Sequence, residues 1–315
     1  MFSAGLEDGA AVSTDGGVTW IAANAGLDDT AVVSLAVSPH YRHDRALYAA
    51  TASGLYRSRD GAATWLPAEG ATLRAAARTV TTGVRSDDEP WPVVASLEDG
   101  RLLVSDDGGQ TWWPLTWGFG EAEVVSLAVS PGYAEDRTIF ACTTGTAPPE
   151  ARQFVTGLTE TDVALWRSTD GGRSWTRWLV ARGPNVLPLA VAPSYPLDET
   201  VFVGVGGRVM RPLRRAREIA LGERRPIWRS AELPGRPSSI TALATSPNYR
   251  ADTTLFAASS AGVCVSRDGA TTFTAWSEGL DPPAVVALAT SPDYPRDRLV
   301  YASGLGGTIW RRRDD

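Results

Sequence analysis

Acidic side chains recur at one kind of position in this chain. Asp28 in AGLDDTAVVS, Asp281 in EGLDPPAVVA and Glu121 in GFGEAEVVS each stand just ahead of an apolar run. Two carboxylates facing each other across a sugar are enough for glycoside hydrolysis, one as acid and one as base or nucleophile. Asp28 and Asp281 are the pair placed for that chemistry if they flank one structural unit. The same three acids also fit polar caps on the junctions between units. Little other catalysis is open to the chain. His40 and His43 are the only histidines, four residues of sequence hold both, and a Ser-His-Asp triad or a His-rich metal site has nothing to build on. The glycines fall in turns and form no phosphate-cradling loop. No cofactor and no metal is expected.

A second chemistry is the recognition of negative charge. Residues 208–229 hold eight arginines, Arg208, Arg211, Arg214, Arg215, Arg217, Arg224, Arg225 and Arg229, against Glu218 and Glu223. The segment carries +6 and the whole chain −6, so the remainder carries −12. A basic patch on an acidic body suits an acidic protein face or an anionic glycan. Arg is suited to bidentate contacts with carboxylates or phosphates. An aromatic cluster, TWWPLTWGF, adds Trp113 and Trp117 as candidates for stacking on a sugar or anchoring a partner. The net charge of −6 gives no invitation to nucleic acid.

These residues are positioned by a repeat. The pattern Ser-x-Asp-Gly-x-x-(Ser/Thr)-(Trp/Phe) begins at Ser13, Ser58, Ser105, Ser168 and Ser266. Ser-Pro-x-Tyr-x-x-Asp is interleaved with it at 38–44, 130–136, 246–252 and 291–297, with APSYPLD at 192–198 as a fifth copy. One unit reads as four short strands, A (32–38), B (46–51), C (54–58) and D (64–67), divided by turn signals. Pro39 and Pro131 are 92 residues apart, two units of 46, with a degenerate copy between them near TTGVRSDDEP. Four strands at that period predict an all-β fold, a β-propeller of four-stranded antiparallel blades. A single propeller domain over 1–315 is expected, with an insertion near 214–225 between strands C and D of the fifth unit. Seven B strands are counted against six A and six D strands, so the first blade lacks A and the last lacks D. Seven blades is the expectation, and six is the alternative.

In each Asp turn the carboxylate is expected to accept from backbone N–H groups one to three residues on. Gly follows it because the turn needs positive φ. The hydroxyl is expected to bond across the hairpin mouth, and the aromatic residue to pack between blades. Asp15, Asp60, Asp107, Asp170 and Asp268, with Trp20, Trp65, Trp112, Trp175 and Phe273, therefore read as structural. Repetition supports this, since catalysis needs one site. In the second motif the Asp is expected to bond its own loop, with the Tyr packed on the next blade.

These segments resemble the Asp-box, or BNR, repeats of the sialidase-like propeller superfamily. The A-strand pattern is also similar to Ycf48-type photosystem II assembly factors and to the propellers of xyloglucan-active glycoside hydrolases. The resemblance implies Asp turns at the blade periphery, away from any active site. Sialidase activity would bring an Arg-Ile-Pro motif near the start, which this sequence lacks. Ycf48-like proteins imply an Arg-rich surface that holds a membrane-protein client. The expectation is a non-catalytic scaffold that docks a protein or an anionic partner through the Arg insertion or the channel-mouth loops. A glycoside hydrolase or carbohydrate-binding propeller is the alternative.

The remaining features are quieter. Cys142 and Cys264 lie in apolar runs and read as small buried hydrophobes. All thirty basic residues are Arg. No run of eighteen apolar residues occurs, so no spanning helix is expected. MFSAGLEDGA has neither a basic nor an apolar export region, so the chain as written reads cytoplasmic. An exported protein is expected instead if its true start lies upstream. A monomer is expected.

Overall fold

A computed structural model describes residues 1–69, 75–84, 90–115, 122–145, 161–183, 187–213, 226–280, 284–304 and 307–314. They form seven antiparallel sheets, the blades of a seven-bladed β-propeller. The first sheet is β1 (Phe2–Gly5), β2 (Gly9–Val12) and β3 (Ile21–Ala22). The second is β4 (Val32–Val37), β5 (Leu47–Thr51), β6 (Gly54–Ser58) and β7 (Leu66–Pro67). The third is β8 (Ala77–Thr82), β9 (Val93–Leu97), β10 (Leu102–Ser105) and β11 (Trp113–Leu115). The fourth is β12 (Glu123–Val129), β13 (Ile139–Thr144), β14 (Thr161–Ser168) and β15 (Thr176–Gly183). The fifth is β16 (Leu189–Val191), β17 (Val201–Val205), β18 (Arg208–Leu213) and β19 (Ile227–Glu232). The sixth is β20 (Ile240–Thr245), β21 (Leu255–Ser259), β22 (Gly262–Ser266) and β23 (Thr274–Ala275). The seventh is β24 (Val285–Thr290), β25 (Leu299–Gly304) and β26 (Ile309–Arg313). The expected strand order is met in every sheet, including the three-stranded first and seventh among the described residues. No helix among those residues is long and apolar enough to cross a membrane.

The chain forms two compact units, Met1–Ala141 with Arg167–Thr176, and Cys142–Trp166 with Arg177–Asp315. In the first, Trp65, Tyr56 and Leu47 of the second sheet pack with Ala10 and Ala23 of the first. In the second, Phe202 and Val209 of the fifth sheet pack with Leu255, Ala257 and Phe273 of the sixth. The B strands LYAAT, VVASL, IFACTT, VFVGV and LFAAS are buried at every residue. A strand covered on both faces needs a continuous apolar run rather than alternation, which is what these segments are. Cys142 is fully buried and its burial raises the thiol pKa; Cys264 is buried too, its thiol pushed up to about 11.

Inner strands carry β-bulges, between Val32 and Ser34, Ala77 and Thr79, Ile240 and Ala242, and Val285 and Ala287. The Ser34 hydroxyl accepts from the Val80 amide of the third sheet at 3.2 Å. Thr241 Oγ1 donates to Val285 O of the seventh at 2.5 Å.

The Ser-Pro-x-Tyr-x-x-Asp segments make four-residue helical turns closed by a left-handed residue, such as Arg45 at φ 51. Asp44 Oδ1 accepts from the Ala46 amide at 2.7 Å and Oδ2 from Ser38 Oγ at 2.5 Å. Asp136, Asp252 and Asp297 repeat both bonds. Each Asp thus bonds its own loop, as expected. The Tyr packing differs from expectation. Tyr41 meets Phe2, Tyr249 meets Phe202 and Tyr294 meets Phe256, at ring separations of 5.2, 5.5 and 6.0 Å. Each phenylalanine belongs to the preceding sheet, not the next. The helical turn points its first residue back over the B strand already laid down.

The Asp turns also depart from expectation in their bonds. Asp15 Oδ1 accepts from the amides of Val18 and Thr19, three and four residues on, at 3.0 and 2.9 Å. Two successive left-handed residues, Gly16 and Gly17, widen the loop so that only those later amides point inward. The Thr19 hydroxyl does not span the hairpin mouth but donates to Asp15 Oδ2 at 2.5 Å. Ser13 Oγ donates to Oδ1 and accepts from the Gly17 amide. The Thr19 hydroxyl and amide hold the Asp15 carboxyl well below its usual range, and those of Thr64 lower Asp60 likewise. At Asp107, Asp170 and Asp268 burial opposes this, and the combined hydrogen bonds outweigh it. The second left-handed position is Ala62 in one turn and Ala270 in another, so a methyl group is accepted where there is room. At Gly109 there is none, because a Cβ would stand 2.7 Å from the Tyr48 ring.

Two predictions follow from the turns. Asp60→Asn should cost about 1 kcal/mol at pH 7, near the low end for an exposed cap. A carboxyl with a lowered folded pKa stabilises above its unfolded value of about 3.9 and loses that contribution as pH falls through the folded pKa. The variant should therefore lose less stability than wild type below pH of about 4, read by urea titrations across pH. Gly109→Ala carries left-handed strain and overpacking on Tyr48 together, and should cost about 2–5 kcal/mol. Gly100→Ala, with no atom near its Cβ, should cost about 1–2 kcal/mol from left-handed strain alone. Equal losses would remove the overpacking argument.

Candidate partner-binding surface

The fifth sheet carries the described part of the Arg-rich segment. Arg208 opens β18 and lies directly across from Glu232, the last residue of β19. Arg208 Nη2 stands 2.8 Å from Glu232 Oε1, and Arg236 Nε 3.5 Å from Oε2. One carboxylate thus holds two guanidinium groups at the B–C turn end of this sheet. Arg236 is 87% exposed and left-handed at φ 45. A shallow pocket of about 140 Å³ is lined by Gly207, Arg208, Glu232, Arg236 and Pro237. Gly207 is required there, since a Cβ would fall 2.1 Å from Pro237 O. Two guanidinium groups against one carboxylate give the pocket a net +1, which suits an acidic side chain.

Arg211 does not belong to that cluster. It sits half-buried further along β18, and its Nη2 lies 3.3 Å from Thr271 Oγ1 of the sixth sheet's Asp turn. Its Nη1 crowds Gly269 in the same turn. Arg211 therefore ties the fifth sheet to the sixth. Arg229 lies directly across from it on β19. The insertion, with Arg214, Arg215, Arg217, Arg224 and Arg225, lies outside the described residues, bracketed by β18 and β19.

An arginine also stands one residue ahead of two of the Asp turns, Arg57 before Ser58 and Arg167 before Ser168. Arg57 lies over the Tyr48 ring at 5.8 Å, and burial lowers its pKa. The Arg-Ser pair ahead of Asp60 and Asp170 was the available signal for it. Arg236 was missed because it stands in a Pro-Gly loop away from the Arg run.

The acid candidates are only partly placed. Asp28 Oδ2 accepts from the Tyr56 hydroxyl at 3.0 Å, and that hydroxyl is 3.1 Å from Ser53 Oγ. Asp28 thus lies at the B–C turn end of the second sheet. Asp281 and Glu121 lie outside the described residues, as does Trp117. Trp113 is 41% exposed at the outer edge of the third sheet, paired with Val104. Among the turn aromatics, Trp65 is 1% exposed and donates Nε1 to Ala23 O of the preceding sheet at 2.8 Å. Phe273 is also buried, whereas Trp20, Trp112 and Trp175 are half-buried.

No protein-family model matches the chain, and no curated protein matches it. Solved structures do. YCF48 bound to D1 peptide superposes with a TM-score of 0.65 at 16% identity, covering 100% of this chain and 88% of that one. An ancestral GH74 enzyme gives 0.65 at 15% identity, covering 90% of this chain and 36% of that one. The Cps50 (Swd1) β-propeller domain of Myceliophteria thermophila gives 0.56 at 12% identity, covering 90% and 84%. The chain shares the β-propeller fold with all three.

The split of the arginines has a direct test. Arg211→Ala should lower stability by about 1–2 kcal/mol through lost packing and a lost charged hydrogen bond. Arg208→Ala, on the surface, should stay within about 0.5 kcal/mol of wild type. Denaturant midpoints measure both, and a neutral Arg211→Ala would return that residue to the docking surface.

Proposed function

We propose that this chain is a single propeller domain acting as a non-catalytic scaffold that docks a protein partner bearing acidic groups. The observation that carries the reading is the exposed Arg208–Glu232–Arg236 cluster on the fifth sheet. Five further arginines of segment 214–225 adjoin it in sequence. Guanidinium groups already ordered by a carboxylate lose less side-chain freedom on meeting a second one. The likeness to a propeller of similar length that holds a peptide supports the reading. An anionic glycan would engage the same charges.

The experiment is capture from native extract with cross-linking to assign the contact. Wild type runs beside Arg208→Ala/Arg236→Ala and beside Arg214→Ala/Arg215→Ala/Arg217→Ala. A partner cross-linked near Arg208 and lost from either variant is the expected outcome. A partner held equally by both variants would move the contact to the channel-mouth loops. No partner at all would end the scaffold reading.

Glycoside hydrolysis is the second reading, favoured by the ordered Asp28–Tyr56 contact and by the likeness to a GH74 enzyme. Asp28→Asn and Asp281→Asn should abolish polysaccharide hydrolysis if it exists. A wild-type chain inert on a polysaccharide panel would remove it.

A further inference from the structure

We propose that the cleft between the sixth and seventh sheets, at their Asp-turn end, binds a phosphate group carried on a larger molecule. A cavity of about 480 Å³ opens there, lined by Arg267, Arg298 and Arg313 with Asp252, Thr254 and Asp314. The three arginines come from three separate segments: the sixth Asp turn, the left-handed end of the seventh helical turn, and the end of β26.

Both carboxylates at this cleft are already committed. Asp252 accepts from the Thr254 amide at 3.0 Å and from Ser246 Oγ at 2.6 Å. Asp314, 3% exposed, accepts from Arg267 on Oδ1 and from the Tyr294 hydroxyl on Oδ2. Three guanidinium groups against two carboxylates leave a net +1. Arg313 gives its Nε to Asp297 O at 3.1 Å, and Arg298 lies over the Tyr294 ring at 5.5 Å. Each guanidinium has five N–H donors, and these bonds use a minority of them.

Asp314 makes the cleft a built site rather than a chance meeting of charges. In the second, fourth and sixth sheets the left-handed residue's carbonyl accepts from an Asp-turn glycine: Gly61 to Arg45 at 3.1 Å, Gly171 to Arg137 at 3.0 Å, Gly269 to Thr253 at 3.1 Å. In the seventh sheet the Asp314 amide makes that bond to Arg298 at 2.8 Å. A side chain therefore stands where those turns have none, and it orients Arg267 toward the cleft. Three guanidinium groups from three separate segments suit a phosphate with three free oxygens better than a carboxylate with two. The volume exceeds that of a bare anion and falls in the range of small-molecule clefts, about 300–1,000 Å³. The cleft lies on other sheets than Arg208, and it stands whether or not Arg208 docks a partner.

The test titrates the wild-type chain with inorganic phosphate, O-phosphoserine and serine, at ionic strength held constant with chloride. Arg298→Gln/Arg313→Gln is titrated in parallel. Calorimetry should register both phosphates, O-phosphoserine the tighter, and no binding of serine. The double variant should bind at least about tenfold more weakly, the loss of one or two charged hydrogen bonds. If the variant does not fold, Nε–H resonances of wild type decide. Shifts at Arg267, Arg298 and Arg313 on adding O-phosphoserine support the site, and shifts elsewhere overturn it. Unchanged affinity in a folded variant overturns it too. Equal affinity for the two phosphates assigns the cleft to the free anion and overturns the larger ligand.

Discussion

A sheet whose second strand is apolar on both faces cannot stand alone in water. LYAAT, VVASL, IFACTT, VFVGV and LFAAS are buried at every position, so each of these strands must be covered on both faces. Much else in the structure serves that requirement. Alanines keep the middle strands thin. Bulges on the inner strands turn hydroxyls toward the adjoining sheet. Tyr41, Tyr249 and Tyr294 of three helical turns reach back onto a phenylalanine of the sheet before, and Arg211 reaches forward to the Asp turn of the sixth sheet.

The two ends of a sheet are left with different work. At the Asp-turn end the turn carboxylates are held by their own loops. The Asp15 carboxylate takes two amides and two hydroxyls, which leaves little room for substrate or metal. The seventh sheet departs from this, because the Asp314 amide stands in for a turn glycine's and its carboxylate accepts from Arg267 beside an open cleft. At the B–C end the hairpins are short, backbone approaches closely at Gly207, and charged side chains such as Arg208 and Arg236 stand in solvent. Two arginines of one strand thus stand in different surroundings, Arg211 against the sixth sheet's Asp turn and Arg208 exposed beside Glu232.

Most of the fold was legible because the repeat is local. Period, turn residues and apolar runs predicted strand order and number in all seven sheets, and residues 214–225 do fall between β18 and β19. The details that went astray were directional. Which sheet Tyr41 packs on depends on the path of the helical turn, and which amides reach Asp15 depends on two consecutive left-handed residues. Neither is encoded in residue spacing. The site was less legible for a related reason. Composition counts Arg208 and Arg211 as one patch, whereas their places along β18 and the approach of the sixth sheet separate them.

The sequence by itself determined the architecture. Short apolar B strands and five Asp turns allow few structures other than stacked four-stranded sheets, because hydrophobic period and turn chemistry act over a few residues. Only the tertiary structure decided what individual charges do. Whether an arginine is cohesive or available depends on the neighbour sheet that covers it, and an acid such as Asp314 becomes an anchor only when residues 20 and 47 positions away fold against it.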